Sequence, residues 1–124
     1  MNSTCVTDID PARNRLYITI KGYAADDEIR EHAALVVAAV AKMKPGFAII
    51  SDISEFKATT PEGAQIIADC VEDYKRHGIA RLIRIVGKNT ITRMQFTRVS
   101  RERGVEVENV ATRAEAEHLL AGKP

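Results

Sequence analysis

The stretch FAIISDISEFKATTPEG, residues 47–63, decides the fold. Its apolar opening, Phe47 to Ile50, reads as a buried central strand, and Ser51 to Thr59 reads as a polar loop. Thr60-Pro61 then starts a helix: Thr can cap, and Pro at the first helical position gives up only an N–H that would be unpaired anyway. Strand, loop and helix in this order place the loop and the helix N-terminus at the carboxyl end of a strand, where α/β sheets gather their sites. A site, if the chain has one, is expected there.

Working outward, Thr4 to Ile9 can form a first strand, and Leu16 to Gly22 alternates Leu16, Ile18 and Ile20 with Tyr17, Thr19 and Lys21, the period of a half-buried strand. Asp10-Pro11-Ala12-Arg13-Asn14 between them carries hairpin turn residues. Asp26-Asp27-Glu28 offers a cap and negative charge to a helix whose apolar stripe is Ile29, Ala33, Val36, Val40 and Met43, stopped by Pro45-Gly46. The helix after Thr60 buries Ile66, Ile67, Cys70, Val71 and Tyr74 and ends at His77-Gly78. Ile79 to Val86 reads as a strand, Gly87-Lys88-Asn89-Thr90 opens a helix running to about Arg103, and Val105, Val107 and Val110 alternate as a last strand. Thr112 and Glu115 form a capping box for a final helix with Leu119 and Leu120 facing the core. The order ββαβαβαβα implies one α/β domain over residues 1–124: a mixed sheet with an N-terminal antiparallel hairpin and parallel strands, covered by helices.

At 124 residues the chain is long enough to bury a core without metals or disulfides. Its net charge of +1 by itself argues neither for nor against a nucleic-acid partner. Cys5 and Cys70 have no C-x-x-C or Cys/His cluster around them, so a disulfide framework or zinc site is not expected and a reducing cytoplasm fits. The N-terminus lacks the basic and apolar regions of a signal peptide, and the apolar run from Ala33 to Ala41 is shorter than the ~20 residues of a membrane helix.

The element order resembles the STAS fold, the domain of sulfate transporters and bacterial anti-sigma-factor antagonists. The resemblance is most local in Ile49-Ile50-Ser51-Asp52-Ile53-Ser54 followed by Gly63. In the antagonists a strand ends in Asp-Leu-Ser or a relative, and a Ser or Thr at the start of the next helix is phosphorylated to switch partner binding. Here Asp52, Ile53, Ser54 and Gly63 match, whereas Pro61 stands at the switch position and Thr60 where the family has an Asp. Pro cannot be phosphorylated, and Thr59 or Thr60 could substitute only by a shift in register. The resemblance thus implies a regulatory or protein-interaction domain without a matching phospho-acceptor, close to divergent STAS-like proteins of unknown role. Those proteins also look similar in fold to SEC14-type lipid-binding domains.

Three residue groups are candidates. At the carboxyl edge, the helix starts at Thr60 and at Asn89-Thr90, with Lys57 and Lys88 beside them, suit a phosphate or carboxylate, and Asp52 and Ser54 share that edge. Ordinary caps and solvated lysines account for the same residues. On the first helix, Ala34, Ala38 and Ala41 with Leu35 form a small-residue face opposite the core stripe, suited to a homodimer contact, although Ala is also simply a good helix former. The arginines and lysines at 75, 76, 81, 84, 93, 98, 101 and 103 read as a solvated face paired with carboxylates rather than a nucleic-acid surface, because only Phe96 is near and it reads as core.

His32, His77 and His118 are scattered and give no metal-ligand spacing. Cys70 on its apolar stripe reads as an inert core thiol. The leading expectation is a non-enzymatic cytoplasmic interaction domain, forming a homodimer and meeting a regulatory protein through the loop from Asp52 to Thr60 and the following helix, with no cofactor. A carrier of a small anionic or apolar ligand is the alternative. An enzyme with Asp52 as general base is a third reading.

Overall fold

Leu16, Ile18 and Ile20 turn to one side of their strand and are buried, as their alternation requires. That strand, β2 (Arg15–Tyr23), pairs antiparallel with β1 (Ser3–Asp10). The structure, a computed structural model, describes residues 3–58, 60–88 and 90–121. Along the chain follow α1 (Asp26–Val40), β3 (Ala48–Asp52), β4 (Phe56–Ala58), α2 (Pro61–Arg76), β5 (Arg81–Ile85), α3 (Thr90–Glu102), β6 (Val107–Val110) and α4 (Arg113–Ala121). The sheet runs β1-β2-β3-β5-β6, with β2, β3, β5 and β6 parallel to one another. This is the mixed α/β architecture expected from the sequence.

One strand was not expected. β4 pairs with β2 at Gly22 and Tyr23, and because Ser3 of β1 already flanks Gly22, β4 lies on the side that β3 leaves at Asp52. Between the two strands the chain is pinned by its backbone: Ile53 N donates to Ile85 O at 3.0 Å, and Gly22 N donates to Glu55 O at 2.9 Å. Ile53 and Phe56 are buried, so the segment that reads as a polar loop carries two core anchors. Their three-residue spacing hides them from a search for strict alternation.

The sheet has two covered faces. Leu16, Ile18, Ile49 and Leu82 join Ile29, Val36 and Val40 of α1, Cys70, Val71 and Tyr74 of α2, and Phe96 of α3 in the larger core. Phe56 and Phe96 meet there with ring centroids 5.7 Å apart. On the other face Ile50, Ile83 and Ile85 pack against Ala116 of α4, with Leu119 and Leu120 partly buried beside them. Strands β3 and β5 are buried on both faces, which explains their mainly apolar sequences.

Arg84 departs from the solvated basic face expected of it. It lies in β5, between Leu82 and Val86, on the side facing the larger core, and is only 3% exposed. The other basic residues of that group that pair do so with carboxylates as expected: Arg103 with Asp69 and Glu72, Arg76 with Asp73, and Arg81 with Glu108. Phe96 is buried, as expected.

Candidate functional site

Because β2, β3, β5 and β6 are parallel and each leads into a helix or loop at its carboxyl end, the starts of α1, α2, α3 and α4 share one edge of the sheet. At α2 the sequence reading holds in detail. Thr60 is the N-cap, its hydroxyl accepting from Gly63 N at 2.9 Å, with Pro61 at the first helical position. The same hydroxyl donates to the Asp26 carboxylate at the start of α1. A second tie, Arg30 to Glu62 at 2.8 Å, joins the two helices.

The cap of α1 differs from expectation. Ala25, not an acidic residue, occupies the cap position, and the acidic side chains act one step inward: Glu28 accepts from Ala25 N at 3.0 Å, and Asp27 accepts from Glu28 N at 2.9 Å. Carboxylates complement the N–H groups either way. At α4, Thr112 accepts from Glu115 N at 3.2 Å, while Glu115 reaches back to Ala111 N at 2.7 Å, one residue further than the box strictly requires.

Asp52 and Ser54 are brought together. Asp52 Oδ1 accepts from both the Ser54 backbone N at 3.0 Å and the Ser54 hydroxyl at 2.7 Å, so it holds the turn out of β3. Ser54 in turn lies against Gly87 at the end of β5: a methyl group built on Gly87 would come within 3.2 Å of Ser54 Cβ. Gly87 also has φ +54, a left-handed conformation that suits glycine. Lys57 and Lys88 are exposed, and neither forms an ion pair among the described residues. Thr90 begins α3, whereas Thr59 and Asn89 lie outside the described residues.

The edge therefore presents exposed positive charge beside hydrogen bonds already committed to the fold. Thr60, Asp52 and Ser54 each serve local structure. Two ammonium groups remain for an acidic surface or an anion.

A feature the sequence reading missed opens next to Gly87. A cleft of about 600 Å³ lies between the ends of β5 and β6 and the start of α4, lined by Val86, Gly87, Asn109, Val110, Ala114 and His118 among others. The same strand-then-helix rule that singled out residues 47–63 applies to the end of β6, so Asn109 is legible as an edge residue, whereas His118 lies in the last turn of α4 and is not. Ala34, Leu35 and Ala38 on the outer side of α1, and Ala41 at its C-cap, are exposed, Leu35 by 50%.

Cys70 is buried, and burial pushes its thiol up to about 11, as it does that of half-buried Cys5. Such thiols are poor nucleophiles at neutral pH. No group of three or more His, Cys, Asp or Glu suited to a metal ion occurs among the described residues. No helix among them is long and apolar enough to cross a membrane.

No protein-family model and no curated protein matches the sequence. Solved structures do. The anti-sigma-factor antagonist SpoIIAA in its unphosphorylated form superposes with a TM-score of 0.66 at 15% identity, over 97% of this chain and 100% of that one. An uncharacterised protein of the DUF3478 family from Shewanella loihica, described as having a SpoIIAA-like fold, gives 0.67 at 15% identity, over 96% and 94%. An anti-sigma-factor antagonist from Mycobacterium paratuberculosis gives 0.65 at 17% identity, again over 96% and 94%. At these identities the likeness is one of fold, and it spans nearly the whole chain: the protein has a STAS-like, SpoIIAA-like fold.

Proposed function

We propose that the protein is a non-enzymatic regulatory domain that acts by contact with another protein, through the surface formed by the loop from Asp52 to Thr60, the start of α2 and the neighbouring Lys88. The observation that carries this reading is the division of labour at the carboxyl edge. Asp52, Ser54 and Thr60 are engaged in holding the loop and the helix starts, while Lys57 and Lys88 face solvent without ion pairs among the described residues. Such an edge recognises an acidic surface by charge and shape rather than transforming a substrate. Whole-chain likeness to anti-sigma-factor antagonists supports the same class of action.

By the spacing of the family resemblance, Pro61 stands where the antagonists have their switch residue, and on this reading partner binding is constitutive or set by a signal other than phosphate at that position. Phosphorylation at Thr59 or Thr60 is the minor variant. A phosphate on Thr60 would meet the Asp26 carboxylate that its hydroxyl now touches, and repulsion would part α1 from α2. The exposed face of Ala34, Leu35, Ala38 and Ala41 is the proposed homodimer contact. Free thiols at Cys5 and Cys70 agree with a cytoplasmic setting.

The second reading is a small-ligand carrier, favoured by the cleft beside Gly87, whose volume falls in the range of small-molecule sites. Native mass spectrometry of the protein purified gently from its own host separates the two. A stoichiometric protein complex supports the regulatory domain, and a bound metabolite or lipid without a protein partner supports the carrier.

A further inference from the structure

Arg84 is a charged side chain in the larger core with no carboxylate partner among the described residues. One nitrogen, Nη1, donates to Phe96 O and to Ser100 Oγ, each at 3.0 Å, and the guanidinium sits 5.0 Å from the centre of the Phe96 ring. Its Nε is buried and has no hydrogen-bond partner among the described residues. Burial lowers the Arg84 pKa to about 10, which still leaves the group charged at neutral pH. The molecule thus buries a cation with one donor unsatisfied, a costly arrangement unless something compensates it.

Beside Arg84 lies a small, partly open cavity of about 30 Å³ between the sheet and helices α1 to α3, lined also by Tyr74, Ser51, His32 and otherwise mainly apolar side chains. Tyr74 is buried, and burial raises its pKa, so it offers a neutral hydroxyl. Ser51 is buried and offers a second. The space exceeds the roughly 10–15 Å³ that one water needs and falls far short of a site for an organic acid. Guanidinium N–H groups only donate, and the two hydroxyls can turn to donate as well. Water in the cavity would leave the buried charge unbalanced. A polyatomic oxyanion would bring more acceptor atoms than this mainly apolar wall can serve. A spherical monovalent anion supplies the countercharge without that excess.

We infer that the cavity bounded by Arg84, Tyr74 and Ser51 is a binding site for one halide ion, with chloride the abundant member of that class. The ion neutralises the buried guanidinium and fastens β5, which carries Arg84, to α2, which carries Tyr74. Through Phe96 and Ser100 the same arginine holds α3, so the ion sits at the junction of the helices that cover this face.

The test combines diffraction and solution binding on the full chain. Crystals soaked in sodium bromide are expected to show anomalous density in the cavity beside the Arg84 guanidinium. In solution, chloride-35 NMR line broadening by the protein is expected to saturate, and Arg84→Leu is expected to weaken chloride binding by about tenfold or more, the scale of one lost charge-assisted hydrogen bond. Tyr74→Phe, which keeps the ring, is expected to weaken it by about threefold to tenfold, and remains informative if Arg84→Leu does not fold. Arg98→Leu, at an exposed position on α3, leaves binding unchanged. Ordered water without anomalous signal at saturating bromide overturns the assignment. So does broadening that Tyr74→Phe leaves as it was, and so does bromide seen in the crystal without the solution effect, which would mark an adventitious ion only.

Discussion

The Thr60 hydroxyl donates to the Asp26 carboxylate while accepting from Gly63 N, so one side chain both caps α2 and ties it to α1. Thr60→Ala is expected to lower stability by about 1 kcal/mol, the usual cost of losing an N-cap, with Thr60→Ser recovering most of it. Urea denaturation measures both. Equal stabilities for the Ala and Ser variants would show that the hydroxyl contributes nothing.

The segment between β3 and β4 gives a sharper contrast. Ile53 is fully buried, whereas Glu55 two residues on is exposed. Ile53→Ala is expected to cost about 2–5 kcal/mol through the cavity it leaves, and Glu55→Ala about 0.5 kcal/mol or less. Chemical denaturation checks the pair; similar effects from both would mean the segment is a loop without a core anchor.

Ser54 and Gly87 are coupled by close approach. Gly87→Ala is expected to cost about 1–2 kcal/mol for the left-handed backbone alone, and more because its methyl group would press on Ser54 Cβ. Adding Ser54→Gly should recover the steric part. A double-mutant cycle with no coupling would contradict the contact.

Acid sensitivity follows from two carboxyls. The hydrogen bond from Tyr17, then Arg15 and Arg113, hold the Glu117 carboxyl below its ordinary range, and the hydrogen bond from Arg81 does the same for Glu108. A carboxyl whose pKa is lower in the folded state favours folding while ionised. Its contribution is present above the ordinary carboxylate pKa and is lost as pH falls through the depressed value. Thermal unfolding midpoints are therefore expected to drop below about pH 4 to 5, and Glu117→Gln should flatten part of that drop while lowering the midpoint at neutral pH. A Glu117→Gln profile parallel to that of the unsubstituted protein would rule Glu117 out as a contributor.

What the sequence discloses follows the physics of each element. Leu16, Ile18 and Ile20 disclose β2 because one face is buried and the other less so, and Thr60-Pro61 discloses α2 because capping is local chemistry. β4 stays hidden because its anchors, Ile53 and Phe56, straddle a turn and break the period of two. Arg84 reads as one more surface cation because burial of a charge depends on strands and helices distant in sequence. The edge residues are legible as neighbours, yet the use of Asp52 and Thr60 as structural acceptor and tie comes only from three-dimensional contacts with Ser54 and Asp26.

The central claim, a partner surface at the carboxyl edge, is tested most directly by native mass spectrometry of host-purified protein, with and without the charge reversals Lys57→Glu and Lys88→Glu. The account predicts a stoichiometric complex with a second protein that disappears in the doubly substituted chain while its fold, read by circular dichroism, is kept. A chain that carries only a small molecule, or a protein complex that persists after both reversals, would contradict it.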